Sequence, residues 1–174
     1  SELTFPGGTF TRLYKVSKTG GRQTLFSAIS MDHVNIASDG RILYNNVKGY
    51  EDPWRKHHTS SIARDIYMKE GGEYKRMTTF AGEDRNPVWA PDGNGYYYLS
   101  EKDGTFNVYH SALNGNSRQL TSFKGNPVRY LSISSQGLLS FAYDGELYTM
   151  VPGKEPVRVP VKINTDIDTD KVIR

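Results

Sequence analysis

The chain has 174 residues and a net charge of +3, with 36% hydrophobic and 24% charged residues, which is enough for one soluble domain with a substantial core. The absence of cysteine excludes disulfide bonds, cysteine-ligated zinc and a cysteine nucleophile, and it leaves the compartment open. No apolar run reaches the roughly 18 residues of a membrane helix, and the scattered basic residues lack the dense stripe that binds nucleic acid.

The first predicted element is a β-hairpin near the start of the chain, TRLYKVSKTGGRQTLF. Its two apolar-rich stretches flank a Gly-Gly turn, and glycine supplies the positive φ that tight hairpins need. The hairpin resembles the second half of the longer units that follow it. It therefore predicts a partial blade over residues 1–27.

Three longer units then share one outline, in which a short apolar strand enters a tight turn and a second apolar strand leaves it. Their first halves read HVNIASDGRILYNN, NPVWAPDGNGYYYLS and VRYLSISSQGLLSFAYDG. The turn glycines are Gly40, Gly93 and Gly137, spaced by about 53 and then about 44 residues. Such spacings are typical of propeller repeats with loop insertions.

The second half of each unit is another predicted hairpin, ARDIYMKEGGEYKRMTT, TFNVYHSALNGNSRQLTS and GELYTMVPGKEPVRVP. The units therefore predict four-stranded antiparallel blades at residues 31–80, 84–123 and 126–161. Because side chains of a strand alternate between its faces, Trp89, Tyr97 and Tyr109 are expected to pack between blades. The predicted fold class is all-β: a partial β-propeller of half a blade plus three blades over residues 1–162, with 163–174 as a tail or a strand leading to the next blade.

The number of predicted blades indicates whether the chain can close into a complete propeller ring. Propellers close into rings of 4 to 8 blades and so avoid exposed sheet edges. Half a blade and three blades do not complete the six-bladed ring considered below. The chain is therefore expected to be a fragment of a longer protein, with pairing of two copies through open blade edges as the alternative.

The Pro-Asp-Gly turn at residues 91–93, with Trp89 two residues before the proline, resembles the PD40 repeats of TolB-type β-propellers. The stretches DPWRKHHTSSIARDIYM and YKRMTTFAGEDRNPVWAPDG resemble more specifically the six-bladed N-terminal propeller of tricorn-like serine proteases, over most of residues 10–165. The third unit departs from the pattern with Ser-Gln-Gly at its turn. The resemblance implies a non-catalytic propeller that filters or docks peptides for a peptidase whose catalytic domains lie later in the chain, so no catalytic residue is assigned.

The sequence itself offers little catalytic or metal-binding chemistry. Adjacent histidines such as His57 and His58 point to opposite sides of an extended segment, and no third ligand lies at a suitable spacing, so no metal site is predicted. The residue types of a hydrolase triad occur at Ser60, Ser61, His57 and Asp65, but without a nucleophile elbow. Arg64 and Asp65 are expected instead to form an ion pair that anchors the third strand. The glycine-rich stretches do not match a phosphate loop, and no cofactor is predicted.

The candidate site follows from propeller geometry, because the first strand of each blade lines the central channel. Polar residues on or just before these strands are His33, Asn35, Arg85, Asn86 and Arg129. Two arginines converging in the channel would hold a peptide carboxylate or an acidic side chain. The alternative is that these arginines only hydrate the channel or pair with Glu83 and Asp84.

A long loop at residues 50–61 is the second candidate, for contact with a partner, because binding residues are often carried on loops. Its candidate residues are Trp54, Arg55, His57 and His58. Expected partners are peptides, the remaining domains of the parent chain, or a second copy; nucleic acid and a membrane segment are not expected. Alternative functions are a TolB-like scaffold for protein–protein interaction and the propeller cap of a prolyl-oligopeptidase-type hydrolase. A periplasmic or otherwise extracytoplasmic location is favoured over a cytoplasmic one.

Overall fold

A computed structural model describes residues 12–49, 54, 55, 57 and 59–162 of the chain, together with the backbone of residues 2–4 and 8–10. Every regular element in these residues is a β-strand, and the strands form three four-stranded and two two-stranded antiparallel sheets. Within this part of the chain, no helix has the length and apolar character needed to cross a bilayer. The all-β prediction is confirmed.

The first four strands form two separate hairpins. In the first, β1 (Glu2–Thr4) pairs with β2 (Gly8–Phe10), and in the second, β3 (Leu13–Lys15) pairs with β4 (Thr24–Ser27). No ladder joins β2 to β3. The described start of the chain therefore holds two hairpins in place of one complete blade.

The remaining twelve strands form three sheets in which each strand pairs with the next one along the chain. Sheet I contains β5 (Met31–Ile36), β6 (Ile42–Asn46), β7 (Ile66–Glu70) and β8 (Glu73–Arg76). Sheet II contains β9 (Asp84–Trp89), β10 (Gly95–Ser100), β11 (Asn107–Ala112) and β12 (Ser117–Gln119). Sheet III contains β13 (Arg129–Ile133), β14 (Leu139–Tyr143), β15 (Glu146–Met150) and β16 (Val157–Arg158).

The turns between the first two strands of the three sheets are built alike. Gly40, Gly93 and Gly137 have φ values of 89°, 68° and 84°, which glycine adopts without the steric cost of a side chain. The N–H of each glycine donates to the carbonyl three residues earlier, at 2.9–3.0 Å. The predicted turn positions are confirmed, including the third, where Ser-Gln-Gly stands in for Pro-Asp-Gly.

The core lies in the seams between successive sheets. Alternating residues of β10 serve both seams, with Tyr96 and Tyr98 facing sheet I and Tyr97 and Leu99 facing sheet III. Trp89 and Tyr109 are buried in the seam of sheets I and II. The prediction that these aromatic residues pack between blades is confirmed.

The seam of sheets I and II also carries polar contacts. The side-chain oxygen of Asn35 accepts from the N–H of Trp89 at 2.9 Å, and that of Asn45 accepts from the N–H of Asn86 at 2.9 Å. The Asn45 amide also donates to the carbonyl of Asp84 at 2.8 Å. These side chains bond sheet I directly to the backbone of β9.

Arg41 reinforces the same seam from the turn of sheet I. Its guanidinium carbon lies 4.7 Å from the centre of the Trp89 ring, and its Nη2 donates to the carbonyl of Gly93 at 2.9 Å. In the seam of sheets II and III, the positions that correspond to Asn35 and Asn45 are Val88 and Leu99. At these two positions the seam of sheets II and III therefore has hydrocarbon side chains, whereas the seam of sheets I and II has amide side chains.

Candidate functional site

The first strands of the three sheets share a local irregularity. His33 in β5, Asn86 in β9 and Tyr130 in β13 have left-handed backbones, with φ of 47°, 54° and 57°. Each lies at the same distance along the chain from the turn glycine of its sheet, and the pairing register shifts around each of them. A β-bulge of this kind re-aims a side chain away from the regular alternation of the strand.

The three re-aimed residues line one cavity of about 180 Å³, which we name the channel-mouth cavity. The residues around it are His33, Trp54, Arg64, Arg85, Asn86, Leu99, Val128, Arg129 and Tyr130. A second, mostly apolar cavity of about 440 Å³ adjoins it and shares Trp54, Arg129 and Tyr130. Other residues of this apolar cavity are Asn126, Pro127, Ala142, Tyr143, Asp144 and Gly145.

Arg85 forms the deepest charged wall of the channel-mouth cavity. Only 6% of the residue is exposed, and its Nη2 lies 2.9 Å from Oε2 of Glu83. Its guanidinium carbon lies 4.2 Å from the centre of the Phe106 ring. Burial lowers the pKa of Arg85, the Glu83 carboxylate opposes that shift, and the charges of Arg64 and Arg129 lower the pKa further. The Arg85 guanidinium therefore lies close enough to those of Arg64 and Arg129 to be repelled by both.

Arg64 bridges the acidic groups behind the cavity. Its Nη1 lies 3.4 Å from Oδ2 of Asp32, and its Nε lies 3.9 Å from Oε1 of Glu83, beyond hydrogen-bond distance. Burial lowers the pKa of His33, an effect that Asp32 opposes and Arg64 and Arg85 reinforce. The His33 imidazole is therefore neutral near pH 7, with one donor and one acceptor nitrogen. Its Nδ1 lies 3.3 Å from Oδ2 of Asp32.

The predicted ion pair between Arg64 and Asp65 is wrong. Asp65 pairs with Lys48 at 2.8 Å and with Arg76 at 2.7 Å, whereas Arg64 faces the cavity. Successive residues of an extended chain point to opposite sides, which separates the two side chains. Asp65 still stabilises the start of β7, through partners on the other side of the sheet.

The described residues of the long loop reach over sheets II and III. The guanidinium carbon of Arg129 lies 4.2 Å from the centre of the Trp54 ring, a cation–π arrangement. The N–H of His57 donates to Oε2 of the buried Glu101 at 2.8 Å. Arg55 is exposed, and His58 lies outside the described residues. Trp54 therefore belongs to the cavity wall, beside Arg129.

The structure places four of the five predicted channel residues around one cavity, namely His33, Arg85, Asn86 and Arg129. Asn35 is separate, because its side chain bonds to β9 and lines a different cavity of about 400 Å³ at the turn end of the first strands. Sequence reasoning missed Arg64 and Tyr130. The spacing of Tyr130 from Gly137 matches that of His33 and Asn86 from their turn glycines, and this signal was sufficient to find it.

Comparisons with known proteins support the fold. No protein-family model matches the sequence, and no curated protein matches it. Among solved structures, the tricorn protease is similar with a TM-score of 0.76 and 21% identity, over 90% of this chain and 15% of the other. A TolB from Acinetobacter baumannii is similar with a TM-score of 0.63 and 19% identity, over 83% of this chain and 36% of the other.

A structure described as a TolB of Agrobacterium tumefaciens is similar with a TM-score of 0.66 and 19% identity, over 83% of this chain and 55% of the other. The chain therefore spans less than two thirds of each of these proteins. At such identities the likeness shows the fold alone: a partial β-propeller of the kind found in tricorn protease and TolB.

Proposed function

We propose that this partial propeller is the non-catalytic docking portion of a tricorn-like peptidase and that it binds peptides at the channel-mouth cavity. The observation that carries the proposal is the convergence of Arg64, Arg85 and Arg129 on one cavity. A bound anion would offset the burial, and the repulsion from Arg64 and Arg129, that lower the pKa of Arg85. Guanidinium groups bind carboxylates with two parallel hydrogen bonds, so a peptide carboxylate is the proposed anchor.

The adjoining apolar cavity defines the rest of the ligand. It lies on the far side of Trp54, Arg129 and Tyr130 from the channel mouth. A peptide whose C-terminal carboxylate enters the channel-mouth cavity can therefore place its last side chain among apolar groups. Burial of such a side chain contributes about 1.5–3 kcal/mol. The proposed ligand is a peptide with a free C-terminus and an apolar last residue.

The test measures binding of a fluorescein-labelled pentapeptide, Gly-Ala-Ser-Ala-Leu, by fluorescence anisotropy. The peptide is used with a free C-terminal carboxylate and, as a control, with a C-terminal amide. We expect the acid to bind more tightly than the amide. The Arg129→Ala variant should bind the acid about tenfold more weakly, which corresponds to loss of a charge-assisted contact of about 1.4 kcal/mol.

The matched control is Arg118→Ala, because Arg118 is an exposed arginine on β12 and does not line either cavity. Its substitution should leave the affinity unchanged. Arg85 is a poorer choice for this test, since its removal leaves the buried Glu83 without its 2.9 Å ion pair and destabilises the fold. Equal binding of the acid and amide peptides, or full affinity in Arg129→Ala, would refute docking through a carboxylate.

A further inference from the structure

Two sets of left-handed positions recur in the three sheets, and they carry different residues. At the turns of the three sheets it has glycine, at Gly40, Gly93 and Gly137, where only the conformation matters. At the bulges of the same three sheets it has His33, Asn86 and Tyr130, although glycine adopts that conformation without strain. Of these three residue types, only asparagine and, to a lesser degree, histidine are enriched in the left-handed region. These positions therefore carry side chains that the backbone does not require.

Contacts that fix the bulges in sheets I and II belong to the backbone. The N–H of His33 donates to Oδ1 of Asp32 at 2.8 Å, and the N–H of Asn86 donates to Oδ1 of Asn45 at 2.9 Å. Glycine would keep both bonds. At position 33 it would lose the 3.3 Å contact of the imidazole Nδ1 with Oδ2 of Asp32, which joins two partly exposed side chains and contributes little. The residue Tyr130 is 68% exposed, so its ring contributes little buried area to the fold. The conformation and the side chain are thus separable at these positions.

We infer that His33, Asn86 and Tyr130 are specificity-determining positions of the docking site. The inference rests on the proposed function, and it identifies the side chains that determine which peptide binds. Imidazole, carboxamide and phenol are neutral groups that donate and accept hydrogen bonds, whereas the neighbouring arginines bind charge. His33 and Asn86 face the channel-mouth cavity alone and bind the amide groups next to the carboxylate.

Tyr130 lines both cavities and so has a separate role. Its ring stands between the carboxylate and the apolar space of about 440 Å³. The ring thereby limits the size of the last side chain of the peptide. Removal of the ring joins the two spaces and favours a larger aromatic residue over leucine.

The experiment replaces each position with glycine. The control is Tyr74→Gly, because Tyr74 is also an exposed tyrosine but lies on β8 with no positive φ. Urea unfolding should give unchanged or higher midpoints for the three bulge variants and a lower midpoint for Tyr74→Gly, which loses strand propensity and backbone entropy. A midpoint that falls as far in the bulge variants as in Tyr74→Gly would overturn the inference, because the side chains would then be structural.

Binding is measured with the free-acid pentapeptide ending in leucine and with the same peptide ending in tryptophan. We expect His33→Gly and Asn86→Gly to bind the leucine peptide about tenfold more weakly, and Tyr130→Gly to shift the preference toward tryptophan about fivefold. Glycine variants with the affinities and preference of the wild type would overturn the inference while docking stands. A wild type that binds neither peptide would overturn docking, and this inference with it.

Discussion

The buried amide of Asn45 is the contact between sheets I and II whose removal should cost most. The residue is fully buried. It accepts from the N–H of Asn86 at 2.9 Å and donates to the carbonyl of Asp84 at 2.8 Å and to that of Asp65 at 3.3 Å. Alanine at this position removes all three bonds and takes from the N–H of Asn86 its acceptor in the core, whereas the carbonyl of Asp65 still accepts from the N–H of Asn46 at 3.2 Å.

The expected cost follows from those bonds. Two good hydrogen bonds contribute about 1 kcal/mol each, and an unpaired buried group adds about 1–3 kcal/mol. We therefore expect Asn45→Ala to lower the free energy of unfolding by about 3 kcal/mol, a large part of the 5–15 kcal/mol typical of a domain. The side-chain contact that holds the Asn86 bulge is lost with it.

Urea unfolding followed by circular dichroism measures this change, with the slope m expected to stay constant. The matched control is Asn94→Ala, because Asn94 is an exposed asparagine in the turn that precedes β10. That change should stay within about 0.5 kcal/mol. A loss below about 1 kcal/mol in Asn45→Ala would show that water replaces the amide and that the seam does not depend on it.

Two further predictions concern the same seam. Burial raises the pKa of Asp84 from 3.8 to about 6, so its contribution to stability is present below about pH 4 and is lost as the pH rises through 6. Asp84→Asn should remove this loss, which is about 3 kcal/mol for a shift of this size. Parallel pH profiles of the unfolding free energy for variant and wild type would contradict it. Arg41→Ala removes the contacts with Trp89 and the Gly93 carbonyl. It should lower the unfolding free energy by about 1–2 kcal/mol and shift the tryptophan emission to longer wavelength. An unchanged emission spectrum would argue against the stacking of Arg41 on Trp89.

Residue type and periodicity were sufficient to predict the sheets. Glycine at Gly40, Gly93 and Gly137 indicates tight turns, because glycine adopts a left-handed backbone at little steric cost and most other residues do not. Alternation of side chains along the strands predicted that Trp89, Tyr97 and Tyr109 pack between blades. These features are local, so a single sequence contains the information that specifies them.

The bulges and the wall of the site were less predictable. A left-handed Tyr130 contradicts residue preference, and only its spacing from Gly137 indicates the conformation. Arg64 lies outside the first strands, so a search limited to those strands does not find it. The pairing of Asn45 with Asp84 and Asn86 joins residues of two sheets, and no periodic pattern within one strand indicates it.

The difference between the two seams has a mechanical consequence. Hydrogen bonds from Asn35, Asn45 and Arg41 are directional and fix β9 against sheet I, whereas hydrocarbon contacts around Val88 and Leu99 are non-directional and tolerate small displacements. Arg85 stands on the rigid side, and Arg129 stands on β13 across the more apolar seam. One backbone bond crosses that seam beside it, from the N–H of Val128 to the carbonyl of Phe106 at 2.9 Å. The wall on β9 is therefore fixed by several directional side-chain bonds, and the wall on β13 by fewer directional bonds. Cooling weakens apolar contacts, so the distance between the two arginines should vary with temperature more than any distance within sheets I and II.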